Sequence, residues 1–293
     1  MRVNYFMVIE EAQFSDYASV IPRERLLILD PKYQEQYDTF DDLGLSKSVG
    51  PGAARNFAWE HSIRLGAQMH WVMDDNILDF LRYNNDFRVR CRSGGLLRSC
   101  EAFHERYKNL AISGPQYKMF CFPYQYRPPF VMNTRIYSCL LIRNDIPFRW
   151  RGRYNEDTDL SLRVMKAGMC TVQFNHALQD KIVTQAVKGG NSEAFYASEG
   201  TKPKSEMLAK MHPDVARVVW KYRRWHHEVN YRPWRHQLLE HWPNCEATGR
   251  DEFGMTYIKL TEDKHKLELK NMGDEMILYK RTLTDDEAVV EIA

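Results

Sequence analysis

Short apolar runs alternate with polar, glycine-marked stretches along the first half of the chain, and their lengths predict alternating strands and helices. "NYFMVIE" and "RLLILDP" are strand-length, rich in branched and aromatic residues, and closed by polar residues or proline. The glycine-rich "GLSKSVGPG" (residues 44–52) precedes "AARNFAWEHSIRLGA", where Ala54, Phe57, Ala58 and Leu65 share one helical face and Gly66 marks the end. "MHWVMDDN" then reads as a strand finishing in acids. Strand, loop, helix, strand predicts an α/β fold with a mostly parallel central sheet. In such sheets ligands collect at the carboxyl ends of strands, where Asp74, Asp75 and Asn76 fall.

Further along, "LRSCEAFHERYKNLAI" (residues 97–112) predicts an amphipathic helix, and the aromatic, proline-interrupted "GPQYKMFCFPYQYRPPF" an ordered loop lining a cleft. "TRIYSCLLIRND" reads as a strand, "EDTDLSLRVMKAG" as a helix running from acids to Gly168, "CTVQFNHAL" as a strand and "VKGGNS" as a second glycine turn. From about residue 201 the character changes to a helix-like "EMLAKMHPDVARVVWKYRRW", and the tail (residues 251–293) mixes alternating apolar residues with many charges, which suits a small hairpin or a partly mobile segment. The expected organisation is a core over residues 1–200 and a basic, aromatic extension over 201–293 packed on it.

With 44% hydrophobic and 27% charged residues the chain has enough apolar material for one large core. A net charge of +2 leaves nucleic-acid affinity to local patches. No apolar run reaches membrane-spanning length, and acids interrupt the N-terminal stretch where a secretory leader needs an apolar core. Cys91, Cys100, Cys121, Cys139, Cys170 and Cys245 form no CxxC pair and no zinc-like spacing with histidine. These features give the expectation of a reduced, cytoplasmic protein without a membrane partner or structural metal.

Three constellations carry possible chemistry. Oxygen ligands at a strand end, as in Asp74-Asp75-Asn76, suit Mg²⁺ or Mn²⁺ with substrate phosphates, while a turn or helix cap accounts for the same residues. Glu156, Asp157 and Asp159 crowd the first turn of a helix, which the helix dipole favours by itself. A carboxylate among carboxylates is also a candidate general base. The third, "RVVWKYRRWHHEVNYRPWRHQLLEHW" (residues 217–242), holds six Lys or Arg, two acids and four of the seven tryptophans. Interleaved basic and aromatic side chains suit unpaired or extruded bases. A helix with Trp220 and Trp234 on the core and its arginines in water is the competing reading.

Taken together, "ARNFAWEHSIRLGAQMHWVMDDNI", "NTRIYSCLLIRNDIPFRWRGRYNEDTDLSLR", "KGGN" and "HHEVNYRP" resemble the phage TET-associated glycosyltransferases, over about residues 5–235. The resemblance implies a GT-A (Rossmann-like) fold. It also implies transfer of a sugar, with inversion, from a UDP-sugar to 5-hydroxymethylcytosine in DNA, with Mn²⁺ or Mg²⁺ as cofactor and the host cytoplasm as location. On it, Asp74 and Asn76 would hold the metal, with Asp75 between them, and Asp157 would be the base. Arg55 and Asn56 would sit under the nucleotide, and Lys188, Gly189 and Gly190 would form a lid near the phosphates. Arg135, Arg153, Arg223, Arg224, Arg232 and Arg235 would contact the DNA acceptor. The family opens with a strand ending in a Pro-Ser-x-x-Arg-like turn that packs on the nucleotide base, whereas this chain begins at what matches the second strand. Glu10 and Gln13 are then the candidates nearest the base pocket. His176 is a late candidate metal ligand, with a hydrogen-bonded strand histidine as the alternative. Rival functions are a glycosyltransferase for a saccharide or protein acceptor and an inactive nucleic-acid-binding module.

Overall fold

The computed structural model describes residues 3–84, 87–124, 127–182 and 201–242, together with the backbone of short strand segments beyond residue 248. In chain order these are β1 Met7–Ile9, α1 Phe14–Ala18, β2 Leu26–Ile28, α2 Lys32–Glu35, α3 Gly52–Arg64, β3 Met69–Met73, β4 Ile77–Asn84, β5 Phe87–Arg90 and α4 Gly95–His104. They continue with β6 Leu110–Tyr117, β7 Phe130–Met132, β8 Cys139–Arg143, α5 Glu156–Lys166, β9 Cys170–Lys181, α6 Lys202–Met211, β10 Ala216–Lys221 and β11 Arg224–Val229. In the tail, Glu268–Met272 and Glu275–Tyr279 pair as an antiparallel hairpin.

The centre is a seven-stranded sheet in the order β3-β8-β6-β9-β4-β5, with β7 on β9. Successive residues of β3 point to opposite faces, and they enter different cores. Val72 joins Trp59 of α3, Leu140 and Ile142 of β8, and Leu160 and Val164 of α5. Trp71 packs with Leu96 and Phe103 of α4 and Val172 and Phe174 of β9. The sheet is thus covered by α3 and α5 on one side and by α4 on the other.

The sheet is mixed rather than mostly parallel. Only β6 and β9 run parallel within it, and every other pairing there is antiparallel. Parallel neighbours need a crossover of about a dozen residues or more, but only Asp74, Asp75 and Asn76 separate β3 from β4. β4 therefore does not lie beside β3: it starts at the end of β3, where Ile77 pairs antiparallel with Lys181 at the end of the long strand β9, and it carries β5 on its other side. A parallel pair does form between β1 and β2, as a separate two-stranded sheet.

Element boundaries shift where packing overrides pattern. On α3 the buried residues are Gly52, Ala53, Arg55, Trp59 and Ser62, so the core stripe is rotated from the expected one and Leu65 is exposed. Gly52 is required, because a Cβ there would fall 1.8 Å from the Tyr37 hydroxyl. The stretch expected as one helix over 97–112 stops at His104, since Leu110, Ala111 and Ile112 are buried in the sheet as part of β6. The strand expected from Thr134 begins only at Cys139, after Ser138 turns the backbone left-handed at φ 60°.

Beyond α6 the chain forms a hairpin, not the helix weighed for residues 217–242, with Trp220 opposite Trp225 and Lys221 opposite Arg224. β-branched and aromatic residues favour this extended pairing. Its base docks on the core: Ala216, Leu208 and Trp234 pack with Leu162 and Met165 of α5.

Candidate active site

β3 delivers Asp74 to the carboxyl edge of the sheet, where its backbone N–H donates to the Ser138 carbonyl at 2.8 Å. Arg55, on the adjoining face of α3, reaches the same point. Its Nη2 lies 2.7 Å from Asp74 Oδ1 and its Nη1 2.8 Å from Glu156 Oε1. The guanidinium also lies over the Trp150 ring at 4.7 Å. A single buried arginine therefore ties the strand-end acid to the head of α5. Lys181, at the end of β9, takes the other Asp74 oxygen at 2.6 Å and donates to Ser138 Oγ at 2.6 Å. The pairing of Ile77 with Lys181 brings the lysine there. Burial opposes ionisation of Asp74, but Arg55 and Lys181 outweigh it and hold its carboxyl below the usual range.

The three acids of α5 separate by environment. Asp159 is fully buried and bonded to Arg151, Arg163 and His212. These partners outweigh the burial penalty and keep it ionised below the usual range. Such a carboxylate is structural. Glu156 is committed to Arg55, yet burial pushes its pKa up to about 7. Asp157 is half-buried, and its Oδ1 accepts from the Thr158 N–H at 2.8 Å and, at the limit, from the Thr158 hydroxyl. Among the described residues its second oxygen has no partner. Burial first, then the neighbouring Asp74 carboxylate, raise its pKa against the pull of Arg55 and Lys204. Of the three, Asp157 has the free oxygen and the proton affinity of a general base.

The remaining candidates are dispersed. Asp75 is exposed beside Asp74, and the Asn76 side-chain oxygen is buried without a partner among the described residues. Asn56 is committed to the backbone of Trp150, donating to its carbonyl and accepting from its N–H, both at 2.9 Å. In this structure it braces the loop at Trp150. Glu10 and Gln13 cap one short turn, with Gln13 Oε1 accepting from the Glu10 N–H at 3.0 Å. Lys188, Gly189 and Gly190 lie outside the described residues. Arg135 is half-buried, stacked over Tyr137 at 4.6 Å, and feels the Asp157 charge. Arg223, Arg224, Arg232 and Arg235 are exposed on the extension.

Arg153 corrects an expectation. It is buried, with Nε 2.6 Å from Asp41 Oδ2 and Nη2 donating to Asp41 and to the Gly44 carbonyl at 3.0 and 2.8 Å. It staples the 41–48 loop from the interior, its side chain out of contact with solvent, where the expected acceptor contact needs an exposed guanidinium. His176 is likewise buried on β9, edge-on to Phe174, as a histidine of the fold. Sequence reading missed Lys181, Ser138 and Tyr117, whose hydroxyl lies 2.7 Å from Ser138 Oγ. Their meeting depends on strand register, which no local pattern encodes.

The fit to a divalent ion rests on two observations. The side chains at the strand end offer only oxygen, as Mg²⁺ and Mn²⁺ require, and the orphaned Asn76 oxygen is an acceptor that such an ion would satisfy. Lys181 holds the Asp74 oxygen that the ion would share, and among the described residues no three His, Cys, Asp or Glu side chains form a ready cage. An ion here would draw its remaining ligands from substrate phosphates.

An acid-ended strand faces an acid-headed helix, with cations between them and one open carboxylate, an arrangement that can serve group transfer. The chain belongs to the TET-Associated Glycosyltransferase family, whose model matches residues 1–190. No curated protein and no solved structure matches it. Among the described residues, no helix is long and apolar enough to cross a membrane.

Proposed function

We propose that this glycosyltransferase has a GT-A (Rossmann-like) core and moves a sugar, with inversion, from a UDP-sugar to the hydroxymethyl group of 5-hydroxymethylcytosine in DNA. The observation that carries the mechanism is the sorting of the α5 acids. Asp159 is locked by Arg151, Arg163 and His212 and Glu156 is held by Arg55, which leaves Asp157 open. As the acceptor hydroxyl attacks the anomeric carbon, its proton passes to the unpartnered oxygen of Asp157, and the bond to the departing UDP breaks on the opposite face. Lys181 and Arg55 place positive charge beside the strand end, where the diphosphate develops negative charge. A bound Mn²⁺ or Mg²⁺, held by Asp74 and Asn76, would add to that neutralisation. The family supports a nucleotide-sugar donor and a DNA-related acceptor, and the exposed arginines of the extension support the latter.

The test is nucleoside mass spectrometry. DNA containing hydroxymethylcytosine is incubated with the protein, Mn²⁺ and a panel of UDP-sugars, then digested. A hexose or N-acetylhexosamine mass on the modified cytidine is the expected result. Donor binding without added mass would redirect the reading to a saccharide or protein acceptor.

A further inference from the structure

The β10–β11 hairpin is not absorbed by the transfer chemistry, and its two faces differ. Cross-strand register puts Arg217/Glu228, Val219/His226 and Lys221/Arg224 on one face, and Ala216/Val229, Val218/His227 and Trp220/Trp225 on the other. The second face starts in the core, with Ala216 and Val229 against Leu208 and Trp234. It ends in solvent, with Trp220 and Trp225 59% and 36% exposed. The two rings meet edge to face at 5.1 Å, and Lys202 Nζ lies over Trp225 at 5.7 Å. Between these ends His227 is held neutral, its pKa depressed to about 3 by burial and then by Lys204 and Arg135. Lys204 is among the charges felt by Asp157, and Arg135 in turn feels Asp157. One face of the hairpin therefore runs from the neighbourhood of the open carboxylate to the exposed tryptophan pair.

The tip adds a second observation. Tyr222 and Arg223 have φ of 52° and 60°, the left-handed pair of a two-residue type I′ turn that usually takes Asn-Gly. Tyr222 is 88% exposed, the most exposed large hydrophobic side chain among the described residues. The ring touches His226 edge-on at 6.0 Å and fills no core, so a bulky side chain in a backbone region that disfavours it suits contact with something outside the protein. The surroundings suit a polyanion. Glu228 is already paired with Arg217 and Lys221. Among the described residues, Arg223 and Arg224 have no carboxylate partner.

We propose that this hairpin opens the DNA duplex: Tyr222 enters the base stack as a wedge, and Trp220 and Trp225 stack on the bases it frees, guiding the extruded nucleotide along the hairpin face toward Asp157. This rests on the DNA acceptor reading above. Apolar wedges that unstack base steps and aromatic platforms that hold unpaired bases are general devices of nucleic-acid recognition, and enzymes that work on a base within a duplex extrude it into their site.

The experiment uses the full chain and a duplex carrying hydroxymethylcytosine with 2-aminopurine as its 3′ neighbour. Binding is followed by anisotropy and unstacking by 2-aminopurine fluorescence at saturating protein. The wild type is expected to raise the fluorescence several-fold. Tyr222→Ala and Tyr222→Asn, the latter suited to the left-handed turn, should bind yet leave fluorescence near the free-duplex level, and Tyr222→Phe should restore the rise. A full rise with the Ala and Asn variants, or binding of the wild type without any rise, would overturn the wedge. A wild type that does not bind this duplex at all would overturn the DNA acceptor reading itself.

Discussion

Replacing Arg55 by Met removes the cation shared by Asp74 and Glu156 and should destabilise the protein in a pH-dependent way. Asp74 keeps Lys181 at 2.6 Å, so its side of the clamp loses one of two partners. That loss is worth about 1 kcal/mol, the net value of a typical hydrogen bond. Glu156 loses its only ion-pair partner among the described residues. Its pKa in the folded wild type is about 7 against an ordinary 4.5. The folded state therefore holds this proton more tightly than the unfolded chain, and stability falls as pH climbs between those values. Without Arg55 the folded pKa moves higher still. Below pH 7 both proteins carry a protonated Glu156 and differ only by the first loss. Above it the variant goes on losing stability at up to about 1.4 kcal/mol per pH unit. At pH 8.5 the total approaches ~3 kcal/mol, in line with breaking a buried ion pair. Thermal unfolding at pH 6 and pH 8.5 measures this, at roughly 2–4 °C per kcal/mol for a chain of about this size. A deficit of about 3 °C at pH 6 should widen to about 9 °C at pH 8.5. An equal deficit at both pH values, or a larger one at pH 6, would refute the reasoning.

Other variants test separate parts of the account. Lys181→Met frees the second Asp74 oxygen and should tighten Mn²⁺ binding by about tenfold in calorimetry; unchanged affinity would remove Asp74 from the ligand set. Arg153→Met leaves the half-buried Asp41 and the carbonyls of the 41–48 loop without their donor and should cost about 1–3 kcal/mol of stability, while DNA affinity of the folded fraction stays that of the wild type. Arg223→Gln with Arg224→Gln should reduce the slope of log K against log salt by about 1.8, the value for two lost phosphate contacts on duplex DNA. A saccharide-directed enzyme would show no such change.

Much of the α/β layout was legible because its signals are local. The Asp74-Asp75-Asn76 triplet does close a strand, Gly66 does follow the end of α3 at φ 74°, and the α5 acids do open a helix. The direction of the strands was not legible, since a run such as "CLLIR" is equally apolar whichever way it runs. Nor were the roles of charged residues. Arg153 and Arg223 look alike in sequence, yet one is locked on Asp41 in the interior and the other sits at a hairpin tip. The hairpin was misread because "VARVVWKYRRW" carries helix-compatible charge, while the left-handed Tyr222-Arg223 turn leaves no glycine or asparagine as a marker. Lys181 shows the same limit, since its part follows from the register between β4 and β9.

The central claim is that Asp157 alone among the three acids of α5 takes the proton of the acceptor. Single-turnover transfer from a UDP-sugar to hydroxymethylcytosine DNA should be compared across Asp157→Asn, Glu156→Gln and Asp159→Asn, with donor affinity and thermal stability followed in parallel. The account predicts that Asp157→Asn loses about 10²–10⁴-fold in rate, the range for a positioned base, with donor binding and melting temperature nearly intact. Asp159→Asn should lower stability first, and Glu156→Gln should keep most of its turnover. An Asp157→Asn variant that retains turnover while Glu156→Gln is silent would contradict the assignment.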